Sequence, residues 1–344
     1  MTDLLSYLKT VTKPIVLYGI GNGADKVVKR LNADNVKISG VFSSSGFKKN
    51  KTYQGHIIND YISLKNELGD MIILVCFGSH LPEVMDNVKK LAKENELYIA
   101  DVPVAGEEIF DIQFAKKHKS ELLKVYNMFY DDVSKSVFEN MIFFKLTGRL
   151  EYLLNAESPK KEAYDILSLN DDESFLDLGA YNGDTVCEFI DNTSNYKSIV
   201  AVEPDKRNFR KLLENTADIK NIVCINSAVS SEKGVQLMAA NHGRGNNTDA
   251  KMTEIETISI DDICQNCLPT FIKMDIEGNE IKAIEGGKYV ISKAKPKMYI
   301  ACYHTPFDLF EIPIKILEIV PEYKLFMRHH PCFPAWDNNY IFVL

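Results

Sequence analysis

The chain has 344 residues, of which 45% are apolar and 26% are charged, and this composition is that of an ordinary folded protein rather than a disordered or fibrous one. Its 40 basic and 48 acidic side chains give a net charge of −8, which offers no electrostatic basis for binding nucleic acid, so a small or neutral substrate is expected. The longest apolar run, residues 71–77, is far shorter than the roughly 18 residues of a membrane-spanning helix, so no membrane span is expected.

The N-terminal sequence and the cysteines indicate the cellular compartment. The first residues lack the basic segment and long apolar core of a secretory signal, and we therefore expect a cytoplasmic protein. Several of the seven cysteines lie inside apolar runs, where a reduced thiol behaves as a small core residue. Cys264 and Cys267 have the spacing of a metal or redox pair, but no second pair accompanies them, and we interpret this spacing as a coincidence.

The first hundred residues alternate short apolar runs with helical patterns, which is typical of a parallel sheet covered by helices. Residues 14–18, 36–42 and 71–77 are predicted strands, and residues 25–31 and 60–68 are predicted helices. A turn rich in glycine, residues 19–24, follows the first strand. We predict a small Rossmann-like domain over residues 1–104, followed over residues 105–160 by a helical connector, because apolar residues there recur every three or four positions.

The remaining segment, residues 161–344, contains seven predicted strands. The first five are separated by helical patterns, whereas only prolines and an Asp337-Asn-Asn339 turn separate the last two, which are therefore predicted to be antiparallel. The strands are predicted at residues 175–178, 198–202, 221–225, 270–274, 297–302, 323–327 and 340–344.

The strongest functional signal is a glycine turn after the first of these strands, within residues 177–185. Glycines at Gly179 and Gly183 are expected because a ligand has to approach the backbone closely. The next strand ends in Glu203-Pro204, where an α/β fold places an acid that accepts hydrogen bonds from both ribose hydroxyls. The pattern predicts a nucleoside site, and a structural turn beside a surface acid is the alternative.

Asp177 discriminates between two kinds of nucleoside ligand. Its carboxylate would repel the pyrophosphate of a dinucleotide but would suit the ammonium and sulfonium charges of S-adenosylmethionine. The sequence therefore favours methyl transfer over hydride transfer. The fold class that follows is α/β: a class I methyltransferase domain with a seven-stranded sheet and an antiparallel last strand, preceded by the smaller Rossmann-like domain.

The chain resembles the FkbM-type S-adenosylmethionine-dependent methyltransferases. The resemblance depends on residues 177–185, Val202-Glu-Pro-Asp205 with Asn215, residues 257–262, residues 272–280 and Tyr303-His304, in family order. It implies O-methylation of a hydroxyl on a saccharide, a lipid-linked glycan or a secondary metabolite. The predicted cofactor-binding residues are Asp177, Gly179, Ala180, Tyr181, Gly183, Asp184, Thr185, Glu203, Pro204, Ser227, Ala228 and Asp275.

An alcohol is a poor nucleophile at neutral pH, so catalysis needs a base or a metal ion that takes or polarises its proton. Asp275 and Glu277 end the fourth strand and His304 ends the fifth, so all three are expected in one cleft. His304 is the predicted general base, because its ordinary pKa of about 6.5 suits this role. Two alternatives stay open: the three residues hold a divalent cation, or Asp275 contacts the cofactor, Glu277 caps the next helix and His304 is a satisfied polar residue.

Two other segments of the second half are interpreted from their composition. His329 and His330 follow a strand, and such paired histidines are expected at the surface more than in an acceptor pocket. Residues 241–247 are predicted to form a loop that either closes over the acceptor through Arg244 or is a solvated turn.

The first half has the glycine spacing of a nucleotide site, yet its second strand ends in Phe42 and three serines instead of an acid, which disfavours NAD. The serines, with Lys48, Lys49 and Lys51, could accept a phosphorylated ligand. The unit also resembles the N-terminal Rossmann-like domain of bacterial sugar acetyltransferases, which implies binding of a nucleotide-linked sugar. Alternatively, this unit binds no ligand and only packs against the rest of the chain or forms a homo-oligomer. The alternative for the whole protein is a nucleotide-sugar-binding oxidoreductase or a non-catalytic protein that binds a sugar nucleotide.

Overall fold

The computed structural model describes residues 2–44, 51–239 and 252–344. The first part of the chain forms a six-stranded sheet of order β3-β4-β2-β1-β5-β6, parallel except between β3 and β4. Its elements are α1 (Leu4–Leu8), β1 (Ile15–Tyr18), α2 (Asn22–Ala33), β2 (Gly40–Phe42), β3 (Thr52–Tyr53), β4 (His56–Asn59), α3 (Tyr61–Leu68), β5 (Ile72–Val75), α4 (Pro82–Glu94) and β6 (Glu96–Ile99).

Most of the predicted elements of this sheet are present, and the glycine turn has a packing function. A Cβ on Gly23 would lie 2.5 Å from the carbonyl oxygen of Cys76, so glycine lets the start of α2 pack against the end of β5. The prediction did not include β3, β4, β6 and α4. Both β3 and β4 are short, and β6 begins with Glu96, whose carboxylate accepts a hydrogen bond from Lys13 Nζ at 2.8 Å.

Five helices follow the first sheet. Those that begin at Asp132 and Lys160 pack on strands of the second sheet, and the one that begins at Leu150 packs on the last strand of the first sheet. Asp131 caps α7 by accepting a hydrogen bond from Ser134 N–H, and its carboxylate also pairs with Arg328 at 2.7 Å. Tyr130 N–H donates to the carbonyl of Leu325 at 2.9 Å. The helices are α5 (Ile112–Lys117), α6 (Lys119–Met128), α7 (Asp132–Thr147), α8 (Leu150–Ala156) and α9 (Lys160–Leu167).

The last part of the chain forms a seven-stranded sheet of order β15-β16-β14-β13-β7-β8-β9, in which β16 is antiparallel to both of its neighbours. The predicted seven strands and antiparallel last strand are confirmed. The elements are β7 (Ser174–Leu178), α10 (Asp184–Asp191), β8 (Ser198–Val202), α11 (Lys206–Asn215), β9 (Ile222–Ile225), α12 (Ile260–Ile263), β13 (Phe271–Met274), α13 (Glu280–Gly286), α14 (Lys288–Ala294), β14 (Lys297–Ala301), α15 (Asp308–Ile319), β15 (Lys324–His329) and β16 (Asn338–Val343).

A small third sheet, which the sequence did not predict, lies between β9 and α12 in the chain. Its central strand β12 is antiparallel to β11 and parallel to β10. The predicted loop at residues 241–247 lies outside the described residues. The strands are β10 (Ala228–Val229), β11 (Gly234–Ala239) and β12 (Met252–Ile258).

One apolar core extends through both halves of the chain. It includes Val16 and Tyr18 of β1, Phe138 of α7 and Tyr340 and Phe342 of β16, all buried. Within the described ranges, no helix combines the length and the apolar character needed to cross a membrane.

Candidate active site

The carboxyl ends of parallel strands from both large sheets face one cavity of about 2230 Å³. From the first sheet, the cavity is lined by the turn after β1 and by residues that follow β2 and β5. From the second sheet, it is lined by residues that follow β7, β8, β13 and β14. This is the edge at which α/β sheets bind ligands, because the loops that leave the strands diverge there.

The glycine turn after β7 has its predicted position but a different physical basis. Gly179 has φ +84°, and a Cβ there would lie 1.8 Å from the carbonyl oxygen of Asp275. The glycine is therefore required by the close approach of the chain itself, not by the approach of a ligand as predicted. Tyr181, Asp184 and Thr185 line the cavity, whereas Ala180 and Gly183 are buried beneath it.

Glu203 lies in the cavity wall directly after β8. Its Oε2 accepts a hydrogen bond from Tyr181 N–H at 3.0 Å, and its Oε1 accepts one from Asp205 N–H at 2.8 Å. Burial raises the pKa of Glu203 to about 7. Two backbone donors thus fix the carboxylate, and each oxygen keeps a lone pair for a ligand. Pro204 and Ala228 line the same region, while Ser227 is buried and donates to the carbonyl of Glu256 at 2.9 Å.

Asp177 is 0% exposed, so its carboxylate lies below the cavity surface. Lys273 Nζ lies 3.4 Å from its Oδ1 and donates a hydrogen bond to the carbonyl of Gly179 at 2.9 Å. Burial alone would lower the pKa of Lys273, but the charges of Asp177 and Asp275 outweigh it and raise that pKa. The predicted direct contact between Asp177 and a bound ammonium is therefore absent from this geometry. Lys273, to which the sequence assigned no role, lies between Asp177 and the cavity.

His304 is fully buried between two carboxylates. Its Nε2 lies 3.1 Å from Asp275 Oδ1, and its Nδ1 lies 3.1 Å from Glu280 Oε1. Tyr303 Oη donates to both oxygens of Asp275 at 3.2 Å. Glu280, which the sequence interpretation overlooked, also accepts from Ile276 N–H at 2.9 Å and is 1% exposed. The sequence signal that could have identified Glu280 is its position in the quoted motif, three residues after Glu277.

This arrangement argues against the predicted role of His304 as general base. Burial alone would lower the pKa of His304, but the charges of Glu280 and Asp275 outweigh it and hold the pKa well above its ordinary value. The imidazole is therefore protonated at neutral pH and has no free lone pair. For Asp275, burial would raise the pKa, but the hydrogen bond from His304 and the charge of Lys273 lower it to about 2.

The same cluster does not fit a divalent cation. Asp275, Glu280 and His304 each offer a ligand atom within 4.8 Å of the others. The two carboxylates, however, face opposite ring nitrogens, and a metal ligand has to be a neutral imidazole with a free lone pair. Glu277, the third member of the predicted metal set, has its Oε2 4.0 Å from His304 Nε2.

Glu277 presents its side chain to the cavity, where 66% of the side-chain surface is exposed. Its backbone is in the left-handed region with φ +58°, a conformation that is sparsely populated by residues other than glycine. Gly278 follows at φ +95° and packs against Ala105. The alternative that Glu277 caps the next helix is wrong, because Asn279 precedes α13.

His329 and His330 are buried, so their predicted surface location is wrong. His330 Nδ1 lies 2.8 Å from the carbonyl of Ser158, and its Nε2 lies 2.8 Å from Tyr299 Oη. Ser158 N–H donates to the carbonyl of His329 at 2.7 Å. The segment between α8 and α9 covers this end of β15, which the strand sequence alone does not reveal.

The strand order and the site together define the class of the protein. Counted from β7, the seven main strands have the order 3-2-1-4-5-7-6 with an antiparallel seventh strand, which is the class I methyltransferase fold, here preceded by another Rossmann-like unit. The family model described as the methyltransferase FkbM domain matches residues 177–330. Residues 177–330 are therefore similar to the methyltransferase FkbM domain, and this match supports methyl transfer as the activity of the chain.

Solved structures similar to this chain include the methyltransferase FkbM from Methylobacillus flagellatus KT, with 22% identity, a TM-score of 0.71, and coverage of 98% of this chain and 92% of that one. The fold of both halves is thus shared with that protein. The precorrin-6y C5,15-methyltransferase from Geobacter metallireducens GS-15 has 12% identity, a TM-score of 0.33 and coverage of 54% and 91%. Aeropyrum pernix fibrillarin, in complex with natively bound S-adenosyl-L-methionine, has 15% identity, a TM-score of 0.32 and coverage of 54% and 73%. No curated protein sequence matches the chain.

Proposed function

We propose that the protein is an S-adenosylmethionine-dependent O-methyltransferase that acts on a hydroxyl of a saccharide or glycan precursor. The observation that carries the proposal is the carboxylate of Glu203, which two backbone N–H groups hold in the cavity wall directly after β8. An acid at this position suits both hydroxyls of a ribose. The FkbM family supports methyl transfer, and the family resemblance favours a saccharide hydroxyl as acceptor.

Asp275 is the best partner for the positive charges of the methyl donor. Its pKa of about 2 keeps it ionised, and it lines the cavity beside Gly179. His304 and Tyr303 hold it from one side, so its carboxylate is oriented before a ligand arrives. We assign to Asp275 the contact that the sequence gave to Asp177, and to Asp177 the positioning of Lys273.

Glu277 is the best candidate for the proton acceptor. A bound S-adenosylmethionine would supply a methyl group that an alcohol oxygen can attack in line, and the protein has to orient that oxygen and remove its proton. Of the two carboxylates of the cluster that line the cavity, Glu277 is the more exposed, whereas Asp275 is already paired with His304. Its left-handed backbone fits a functional constraint.

The cofactor site is tested by calorimetry. Glu203→Ala removes two hydrogen bonds to a charged acceptor, each of which contributes roughly 1.5–3 kcal/mol, so the affinity for S-adenosylmethionine is expected to fall at least tenfold. Asp337→Ala, which removes another carboxylate from the cavity lining, is the matched control and should change the affinity less than threefold. Unchanged binding by Glu203→Ala would reject the site.

The proton acceptor is tested by transfer of a labelled methyl group to a panel of sugars and nucleotide-linked sugars. With any acceptor so found, Glu277→Gln is expected to lower turnover by roughly two to four orders of magnitude and to leave cofactor affinity nearly unchanged. Normal turnover of Glu277→Gln would assign the proton transfer to another group or to solvent. If the label is found on nitrogen or sulfur of the product instead of on a hydroxyl oxygen, the proposed O-methylation is wrong.

A further inference from the structure

We infer that the first sheet forms the wall of the active site that holds the acceptor, and that this acceptor is an uncharged polyhydroxylated ring. The inference deepens the proposed function and rests on it. The two halves of the chain would then make one catalytic unit, with the methyl donor bound by the second sheet and the acceptor bound between the sheets.

The size of the cavity is the first observation. Its volume of about 2230 Å³ exceeds the roughly 300–1,000 Å³ that a site for one small molecule has. A nucleoside-type cofactor beside Glu203 would fill only part of this space. The remainder lies between Glu277 and the carboxyl ends of the first sheet, because residues of both line the same cavity.

The contacts between the halves are the second observation. Ala105 N–H donates to the carbonyl of His304 at 2.9 Å, and Ala105 also packs on Gly278, next to Glu277. On another side of the cavity, Ser79 and Phe333 exchange two backbone hydrogen bonds at 2.7 and 2.9 Å. The first half is therefore attached to the second directly beside the proposed catalytic carboxylate, which holds its sheet edge in place.

The chemistry of the lining is the third observation. Trp336, the single tryptophan of the chain, lies against Gly78, where a Cβ would be 2.1 Å from the indole ring. Hydroxyl groups line the first-sheet side, and Tyr18 Oη and Ser44 Oγ lie 2.7 Å apart. Flat aromatic surface beside neutral hydroxyl groups suits a sugar-like ring, which has an apolar face and hydroxyl edges.

The charged side chains that line the cavity also favour an uncharged acceptor. Lys26 lines the first-sheet side, but its ammonium already donates to the carbonyls of Pro103 and Val104 at 2.6 and 2.9 Å. Two other lysines of the cavity lining are paired, Lys160 with Glu188 at 2.7 Å and Lys273 with Asp177 at 3.4 Å. Four more cations belong to α11, which follows Glu203 and therefore borders the proposed cofactor region: Lys206, Arg207, Arg210 and Lys211. The described part of the acceptor wall thus favours a neutral acceptor over a phosphorylated one.

The location of the acceptor site is tested with a photoreactive analogue of S-adenosylmethionine. In this analogue nitrogen replaces the sulfonium, and the methyl group is extended as a short alkyl chain ending in a diazirine. The chain points along the direction of methyl transfer, so irradiation is expected to label peptides containing residues 18–26 or 76–84 of the full-length protein. Excess S-adenosylhomocysteine should suppress this labelling. Labelling confined to the second half, or absent although calorimetry shows that the analogue binds, would overturn the inference. If the analogue does not bind, the proposed cofactor site itself fails, and the inference fails with it.

The acceptor class is tested by changing the end of the same chain. An analogue ending in a glucosyl group is expected to bind at least tenfold more tightly than one ending in a methyl group. For an analogue ending in a phosphate, the gain in affinity over the methyl-ended analogue should be less than threefold. Trp336→Ala should remove most of the glucosyl gain, while Tyr289→Ala, at an exposed position on α14, should preserve it. A larger gain from phosphate, or no gain from either group, would overturn the assignment of a neutral polyhydroxylated ring.

Discussion

His304 shows how two neighbouring carboxylates change the chemistry of a residue. With Asp275 on one ring nitrogen and Glu280 on the other, each at 3.1 Å, the imidazole becomes a buried cation that holds two acids in place. Its role is then to position Asp275. A histidine of ordinary pKa at the same place would have been free to act as a base.

Glu280→Gln should strongly destabilise the protein. Removing one partner of a buried ion pair costs about 3–5 kcal/mol, because an uncompensated charge stays behind. The folded pKa of His304 lies above its unfolded value, so this stabilisation is fully present below about pH 6.5 and is lost as the pH rises through the folded pKa. The measurement is urea unfolding at pH 6.

The matched control for that measurement is Glu285→Gln on the same helix. Glu285 forms an exposed ion pair with Lys315, and removing such a pair costs about 1 kcal/mol or less. Equal losses in the two variants would show that the buried cluster contributes no more than a surface pair.

Glu203 should make cofactor affinity depend on pH. Its pKa of about 7 means that the carboxylate is mostly protonated at pH 6 and mostly ionised at pH 8. Because the ionised form is the stronger acceptor for ribose hydroxyls, affinity should rise roughly tenfold over this range, in proportion to the ionised fraction. Calorimetry at both pH values measures the change.

Glu203→Gln is the control for this effect, since the amide does not titrate while the S-adenosylmethionine amino group still does. The variant should bind weakly at both pH values, without the tenfold rise. A rise of equal size in the variant would assign the pH dependence to another group.

At the scale of elements, Gly179 connects the turn after β7 to the loop after β13. An added Cβ would meet the Asp275 carbonyl at 1.8 Å, and the backbone at φ +84° is unfavourable for any other residue. Gly179→Ala should therefore lower the free energy of unfolding by roughly 3 kcal/mol or more and weaken cofactor binding, because Asp275 has to move. Chemical denaturation and calorimetry measure the two effects.

Gly69→Ala separates the two causes. Gly69 also has positive φ, at +71°, but a Cβ there would meet nothing within 4 Å, so the cost is that of the positive-φ backbone alone, about 1–3 kcal/mol. If Gly179→Ala and Gly69→Ala lower the free energy of unfolding by the same amount, the close approach between the two loops is not the cause of the Gly179 effect.

One apolar core joins the two large sheets of the molecule through four of the helices between them, α5, α6, α7 and α8. The buried ion pair of Lys145 and Asp101, at 3.2 Å, adds a polar contact between α7 and the segment after β6. Separate domains with a weak interface would unfold independently. This chain is instead expected to unfold in a single transition.

Differential scanning calorimetry of the full chain measures this prediction, with the calorimetric enthalpy equal to the van't Hoff enthalpy as the criterion. Two resolved transitions would contradict it and would support independent units near residues 1–104 and 161–344. The division at these residues, like the formation of a homo-oligomer, stays a prediction.

Sequence patterns alone predict the α/β class, the seven main strands with an antiparallel last strand, and the glycine turn followed by Glu203. These features are local: apolar runs predict strands, and a glycine or an acid at the end of a strand keeps its position whatever packs around it. The strands β3 and β10 were missed because each has only two residues, and β4 because it buries a single residue, Ile58. The sequence offers no comparable reason for missing β6, which is as long as β1 and buries three of its four residues.

The protonation of His304, the burial of His330 and the shared cavity depend instead on how distant parts of the chain pack together. Glu280 and His304 are 24 positions apart in the chain, and the pKa of a histidine depends on which charges surround it in space. Likewise, the segment between α8 and α9 that buries His330 comes from a region whose packing partner the helical pattern does not specify. The first sheet faces the second because of contacts such as Ala105 with His304, which join residues that no local pattern relates.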